Sequence, residues 1–383
     1  MRVKNNYLCT TSQLTIVIVI INLILLLGCT KNEENIIKIG AIVPLTGPFA
    51  SYGEPVKNGM LLAVDEINNN GGVKGKKIKL IIEDDAGNPT TAVNAFEKLA
   101  GTDKVPMILG PLSSGCSMAT APVAEKNKVV QLSTLAGIPD LSKAGDYIFR
   151  IYPSSELGAR FAAKQALEIF KPKKIAILFM NNSFGESAKN IYLEVAKESG
   201  CKVVTVDGFQ EGEKDLKTLL SKVMQGGPDI LFCSAYWQDG ANILVQMQEL
   251  GMKMPVIGED GWRGPLFNLV GEAGLTHLYF SDILFGKEFK DNTVMQEFIA
   301  NFMTRYNKNA STYSATGYDA VYVAKTALEN AKYSGEDIKN ILYTIDVKGA
   351  TGEIKFDKNG DNVGIKFGIF KLDNNNDSML VTE

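Results

Sequence analysis

From Ile36 onward the chain alternates short apolar runs with longer stretches in which apolar residues recur every three or four positions. The first pattern marks strands buried on both faces, the second amphipathic helices. Strands are expected at residues 36–43, 77–83, 105–109 and 129–132, with helices at 56–69, 90–100 and 117–127. Asn70-Gly71-Gly72 stops the first helix, as glycine does at a C-terminus. The second half repeats the rhythm with strands at 175–180, 202–206, 230–233 and 255–257 and helices at 184–199, 216–224 and 241–250. Helices at 293–306, 315–330 and 334–345 follow, then strands at 352–356 and 365–372. This predicts an α/β fold of two doubly wound, Rossmann-like lobes, each a parallel sheet with helices on both faces. The surplus helices predict that the chain returns to complete its first lobe. The expected division is 36–153 with 283–350 for one lobe and 154–282 with 351–383 for the other.

In such sheets ligands sit beyond the carboxyl ends of the strands, where helix N-termini offer free N–H groups. Two facing lobes would enclose a cleft lined by strand-end loops. In the first half these are Pro44-Leu45-Thr46-Gly47-Pro48 with Tyr52, residues 110–115 with Ser113 and Ser114, and Ser133-Thr134-Leu135-Ala136-Gly137. A serine at a helix N-cap beside unpaired N–H groups makes a carboxylate cradle, or only a cap. The second half supplies Asn181-Asn182-Ser183-Phe184, Ala235-Tyr236-Trp237 and Glu259-Asp260-Gly261-Trp262. Hydroxyls and N–H groups on one wall, with a carboxylate and aromatics on the other, suit a zwitterion. Tyr152, Trp237 and Trp262 either extend an apolar pocket or pack against hinge and lobe.

The N-terminus departs from the rhythm. Arg2 and Lys4 precede an apolar segment at 14–27, interrupted by Thr15 and Asn22. That length is short for a membrane span and typical of a signal-peptide core. It ends in Leu26-Leu27-Gly28-Cys29, which resembles the bacterial lipobox. The resemblance implies cleavage before Cys29 and a lipid on its thiol, so 1–28 is expected to be a signal peptide and 29–35 a lipidated tether. The expected location is extracytoplasmic, anchored to a bacterial membrane. Cys116, Cys201 and Cys233 then remain. An odd number cannot all pair within the chain, and their spacing fits no metal site; buried small apolar residues is the better account.

A chain of 383 residues exceeds what one core usually serves. Its net charge of −3, or −5 once Arg2 and Lys4 leave with the signal segment, provides no basic excess for a nucleic-acid partner. No enzyme motif is present. The sole histidine, His277, lies in a linker-like segment; no hydrolase elbow, dinucleotide turn or phosphate loop occurs. Asp357-Lys358-Asn359-Gly360-Asp361 reads as a turn, because a calcium loop would need Gly and Glu where Asn362 and Gly368 stand. No cofactor and no metal are expected.

Several segments, weak singly, together resemble the leucine/isoleucine/valine-binding proteins of ABC transporters, the type I periplasmic binding fold. They are Gly47-Pro48-Phe49-Ala50-Ser51-Tyr52-Gly53, Asn70-Gly71-Gly72-Val73-Lys74-Gly75, Glu83-Asp84-Asp85, Gly208-Phe209-Gln210-Glu211-Gly212-Glu213-Lys214-Asp215 and Phe356-Asp357-Lys358-Asn359-Gly360-Asp361, in that order from about 39 to 370. The resemblance implies three crossovers that act as a hinge. It implies that Ser114 holds an amino acid's carboxylate, that the loop with Leu135, Ala136 and Gly137 offers backbone groups, and that Asp260 pairs with the ammonium. Tyr52, Phe184 and Tyr236 would contact the bound molecule, with Ser113 beside Ser114. Gly137 stands where many members carry Thr, and Asp260 where Glu is commoner. The expected function is capture of a small amino acid by a monomeric binding protein that serves an ABC permease. A sensing component of the same fold, taking an amide, an aromatic acid or another small metabolite, is the alternative.

Overall fold

Apolar strands and striped helices assemble into two sheets in the computed structural model, which describes residues 35–382 except 288 and 377. The signal segment 1–28, Cys29 and the tether up to residue 34 lie outside the described residues. The first sheet comprises β1 (Ile36–Ile42), β2 (Lys77–Glu83), β3 (Met107–Leu109), β4 (Val130–Ser133) and β5 (Ile148–Arg150). Its order is β2-β1-β3-β4-β5, parallel throughout. Between the strands run α1 (Ala50–Asn69), α2 (Pro89–Glu97) and α3 (Ser114–Asn127). The second half contributes α4 (Ser155–Phe170), β6 (Lys174–Met180), α5 (Ser183–Ser199), β7 (Lys202–Phe209), α6 (Lys217–Gly226) and β8 (Ile230–Ser234). It continues through α7 (Trp237–Glu249), β9 (Val256–Gly258), α8 (Phe267–Leu275) and β10 (Leu278–Ile283). Then come α9 (Thr293–Tyr306), α10 (Thr312–Asn330), α11 (Gly335–Leu342), the hairpin β11 (Val347–Gly349) and β12 (Gly352–Ile354), β13 (Phe367–Leu372) and β14 (Ser378–Thr382). The second sheet is ordered β14-β13-β10-β9-β8-β6-β7, with only β13 and β14 antiparallel to their neighbours.

The period of two along each strand divides each lobe into two cores. Ile39, Ala41, Met107 and Leu109 pack with Val56, Met60, Phe298 and Val321, so α1, α9 and α10 cover one face of the first sheet. Ile42, Ile108 and Ile148 pack with Phe96 and Ala124 of α2 and α3 on the other. In the second lobe Leu178, Leu231 and Phe280 meet α6, α7 and α8, while Ile177, Phe232 and Ile257 meet α4 and α5. The late helices thus complete the first lobe. Gly59 and Gly317 bring α1 and α10 together: a Cβ at either would lie 1.9 or 2.1 Å from a backbone oxygen of the other helix.

The chain crosses between lobes after β5, after β10 and again before β13. The division expected from sequence needs one correction. Ile354 and Phe356 pack in the first lobe's core, and the chain joins the second sheet only at Phe367, so 351–364 does not belong with the second lobe. Arg150 holds this stretch: it is 1 % exposed and donates from Nε to Asp361 (2.6 Å) and from Nη1 to the Ile138 carbonyl (2.8 Å). Asp357-Lys358-Asn359-Gly360-Asp361 is a turn in which Oδ1 of Asp357 accepts from the N–H groups of Asn359 and Asp361. Cys116, Cys201 and Cys233 are free thiols, and Cys116 and Cys233 are buried.

Candidate functional site

Both sheets reverse their winding beside a first strand, between β1 and β3 and between β6 and β8. Loops leaving these points face one another, as doubly wound sheets require of a binding crevice. Between them lies a cavity of about 490 Å³, its mouth included. The first lobe lines it with Phe49, Tyr52, Leu112, Ser113, Ser114, Leu135, Gly137 and Tyr313, the second with Phe184, Tyr236, Asp260 and Gly261, and the first crossover with Tyr152. Eight of the nine residues expected to bind therefore border one space.

Ala136 does not. It is 1 % exposed, its N–H donates to Oγ of Ser133 (3.2 Å) and its carbonyl accepts from Arg150 (3.4 Å), which turns it behind the wall. Gly137 is tightly backed: a Cβ there would stand 2.9 Å from that of Ser155, and its carbonyl accepts from the Ser155 N–H at 2.6 Å. A larger residue at this position would require Ser155 to shift.

The two serines divide their work. Ser113 is the N-cap of α3, its Oγ accepting from the Cys116 N–H at 3.3 Å. Ser114 begins the helix, is 7 % exposed, and its hydroxyl has no hydrogen-bond partner among the described residues. It stands with the first N–H groups of α3, which lack intrahelical acceptors. This is the anion-favouring end of a helix dipole.

Opposite it, Asp260 opens a short 3₁₀ turn after β9. Burial, with the nearby Asp282 and Glu259 carboxylates, holds its carboxyl well above the usual range; Arg263 pulls the other way. Glu259 is 1 % exposed, accepts from the Tyr192 hydroxyl, and is pushed up to about 7 by burial. Asp282 is fully buried and accepts from Tyr152 (2.9 Å), Arg263 (2.5 Å) and Thr312 (3.3 Å). Of these three acids, Asp282 alone is bonded to a guanidinium.

Aromatic side chains close the remaining sides. Phe184 stacks on Tyr236 with centroids 5.3 Å apart, and Phe49 meets the same ring edge-on at 5.3 Å. Tyr52 lies 5.3 Å from Tyr313; their hydroxyls donate across the cleft to the carbonyls of Gly261 (3.2 Å) and Asp260 (2.7 Å). The lobes are therefore closed on each other. Of the tryptophans, Trp262 is a core residue whose Nε1 donates to the Cys233 carbonyl at 2.7 Å, and Trp237 reaches Oγ of Ser51 (3.4 Å) outside the cavity. Phe49, Leu112, Gly261 and Tyr313 were not singled out from sequence. Leu112 and Gly261 sat within loops already marked and Phe49 within the segment 47–53 that carries the resemblance, whereas nothing local marks Tyr313, which comes from α10.

A sequence profile described as Periplasmic binding protein matches residues 36–376. The Leu/Ile/Val-binding protein BraC3 of Rhizobium johnstonii is 30% identical over 340 residues, 88% of this chain and 91% of that protein. Among solved structures, the leucine-binding protein LivK of Thermotoga maritima superposes with a TM-score of 0.84 at 26% identity, covering 90% of this chain and 97% of that one. LivJ of Streptococcus pneumoniae, a branched-chain amino-acid transporter substrate-binding protein solved with isoleucine, gives 0.81 at 26% identity and covers 91% and 99%. With a profile spanning nearly the whole described chain and a cleft at the switch points of both sheets, the chain belongs to the type I periplasmic binding proteins, in the Leu/Ile/Val-binding group of extracytoplasmic ABC-transporter substrate-binding proteins.

Proposed function

We propose that the cavity takes a free α-amino acid with an apolar side chain, branched-chain members first. The carboxylate meets Ser114 and the first turn of α3; the ammonium meets Asp260. Leu112, Leu135, Phe184 and Tyr236 surround the side chain, and Tyr52 closes the end. One observation carries this reading: an unpartnered hydroxyl at a helix N-terminus and a carboxyl with no side-chain donor line the same cavity from opposite lobes. The protein performs no chemistry on its solute. It works as a monomer, held to the membrane by lipid on Cys29, and delivers the solute to an ABC permease.

Calorimetry with leucine, isoleucine, valine, leucinamide and 4-methylpentanoate tests the head-group assignment. The amino acids should bind, and each analogue, lacking one charge, should bind at least a hundredfold more weakly. Equal affinity for leucinamide would remove the carboxylate cradle from the reading, and equal affinity for 4-methylpentanoate would remove the role of Asp260.

A further inference from the structure

Beside the solute cavity lies a larger chamber, about 1390 Å³ with its open mouth. Among the described residues only Tyr52 and Tyr313 border both spaces, so their rings are the partition between them. Tyr52 belongs to the first turn of α1 and Tyr313 to the first turn of α10, with ring centroids 5.3 Å apart. Each ring is tied at its far end. The Tyr52 hydroxyl donates to the Gly261 carbonyl (3.2 Å) and accepts from the Trp237 N–H (3.4 Å), and the Tyr313 hydroxyl donates to the Asp260 carbonyl (2.7 Å). A capping box, in which Ser311 and Ser314 each bond the other's backbone N–H, fixes the turn that carries Tyr313. Beyond the partition the chamber is partly apolar, with Pro265, Phe285, Ile299 and Met303 on its walls. An alkyl chain that reached this far would leave water against them.

We propose that Tyr313 is a specificity-determining residue: with Tyr52 its ring sets the length of side chain that the closed site admits, and it denies longer chains the space behind. This assignment rests on the amino-acid reading above. All three bonds of the tyrosine hydroxyls join a ring of the first lobe to backbone of the second, so the partition is complete only when the lobes are closed. A solute that outgrows the cavity must break these bonds or hold the lobes apart, and either cost is read as weaker binding. Tyr313 is the cleaner place to open the partition. The Tyr52 ring also packs against Phe49 and Tyr236, whereas among the described aromatic rings Tyr313 meets Tyr52 alone.

The test compares L-leucine with L-2-aminooctanoate, whose unbranched side chain carries two more carbons, by calorimetry on the purified full chain. The parent should bind the longer solute about a hundredfold more weakly, at roughly tenfold for each methylene refused. Tyr313→Ala opens the partition and should narrow that ratio by about tenfold or more. Tyr313→Leu, which keeps an apolar side chain in the core, should move the ratio the same way and carries the test if the alanine variant does not fold. Tyr313→Phe keeps the ring and drops the hydroxyl, and should leave the ratio unchanged. A parent that binds no leucine would sink the amino-acid reading and this assignment with it. Leucine binding with a ratio that neither the alanine nor the leucine variant shifts would overturn the assignment alone. So would equal affinity of the parent for both solutes, or a shift by Tyr313→Phe as large as that by Tyr313→Ala.

Discussion

Asp260 faces a cleft in which no side chain among the described residues donates a hydrogen bond to its carboxyl, so what binds there decides its charge. Its raised pKa means that the empty site favours the protonated form over the lower part of the pH range. An ammonium favours the carboxylate, and binding a zwitterion must therefore expel a proton. Affinity should rise with pH until the raised pKa of the empty site is passed, then level off until the ligand's ammonium titrates. Calorimetry in two buffers of different ionisation enthalpy should report net proton release; none would mean that Asp260 does not meet the ammonium. Ser114→Ala should cost about 1.5–3 kcal/mol of affinity, the usual worth of a hydrogen bond to a charged group, with unfolding temperature unchanged. Ser114 and Asp260 were legible in sequence because each lies in a polar loop after an apolar strand. Tyr313 and the orientation of Ala136 were not, since both follow from packing between distant segments: Tyr313 comes from α10, and Ala136 is turned inward by Ser133 and Arg150.

Among the elements, apolar runs such as β1 and β6 and long striped helices such as α5 and α9 could be read almost to their ends. Several others were hidden, α4, β10 and β5 among them. The buried face of α4 is Ala159, Ala162, Ala163 and Ala166, residues too small to stand out in a hydrophobic pattern. Strand β10 carries Ser281 and Asp282 just before its last residue, polar yet buried, because its end is part of the hinge. Strand β5 has only three residues. The junction of α1 with α10 gives a prediction at this scale. Gly317→Ala would place a methyl against the Val56 carbonyl and should destabilise the protein by at least ~2 kcal/mol, near the upper range for overpacking, measured as a fall in the urea midpoint; an unchanged midpoint would contradict the close approach. The end of β9 gives another. Glu259 is raised from 4.5 to about 7 in the fold. The folded state thus binds the extra proton between those values, and stability falls as pH rises from about 4.5 to 7 and then stays level. Glu259→Gln should flatten that decline, so its advantage over the parent should be present in melts at pH 8 and absent at pH 4.5.

At the scale of the molecule, the open and closed forms differ in which groups meet across the cleft, and Asp282 is where most of those meetings converge. It lies at the end of the strand that leads into the second crossover, one residue before Ile283, and its carboxylate accepts from Tyr152 on the first crossover, Thr312 at the head of α10 and Arg263 on the second lobe. Opening the lobes must break at least one of the Arg263 and Thr312 contacts, since those residues belong to different lobes. A buried charge with its partners removed is costly unless water replaces them, so the clasp weights the equilibrium toward closure before any solute arrives. Asp282→Asn keeps the size of the side chain, removes its charge and leaves Arg263 without its counterion, which should shift the empty protein toward the open form. Apparent affinity falls in proportion to the closed, binding-competent fraction. The expected result is a larger radius of gyration by X-ray scattering without solute, recovery of the parent's compact profile at saturation, and solute affinity at least tenfold weaker. A variant whose scattering and affinity both match the parent would show that closure is set by the aromatic wall of Tyr52, Tyr236 and Tyr313 alone.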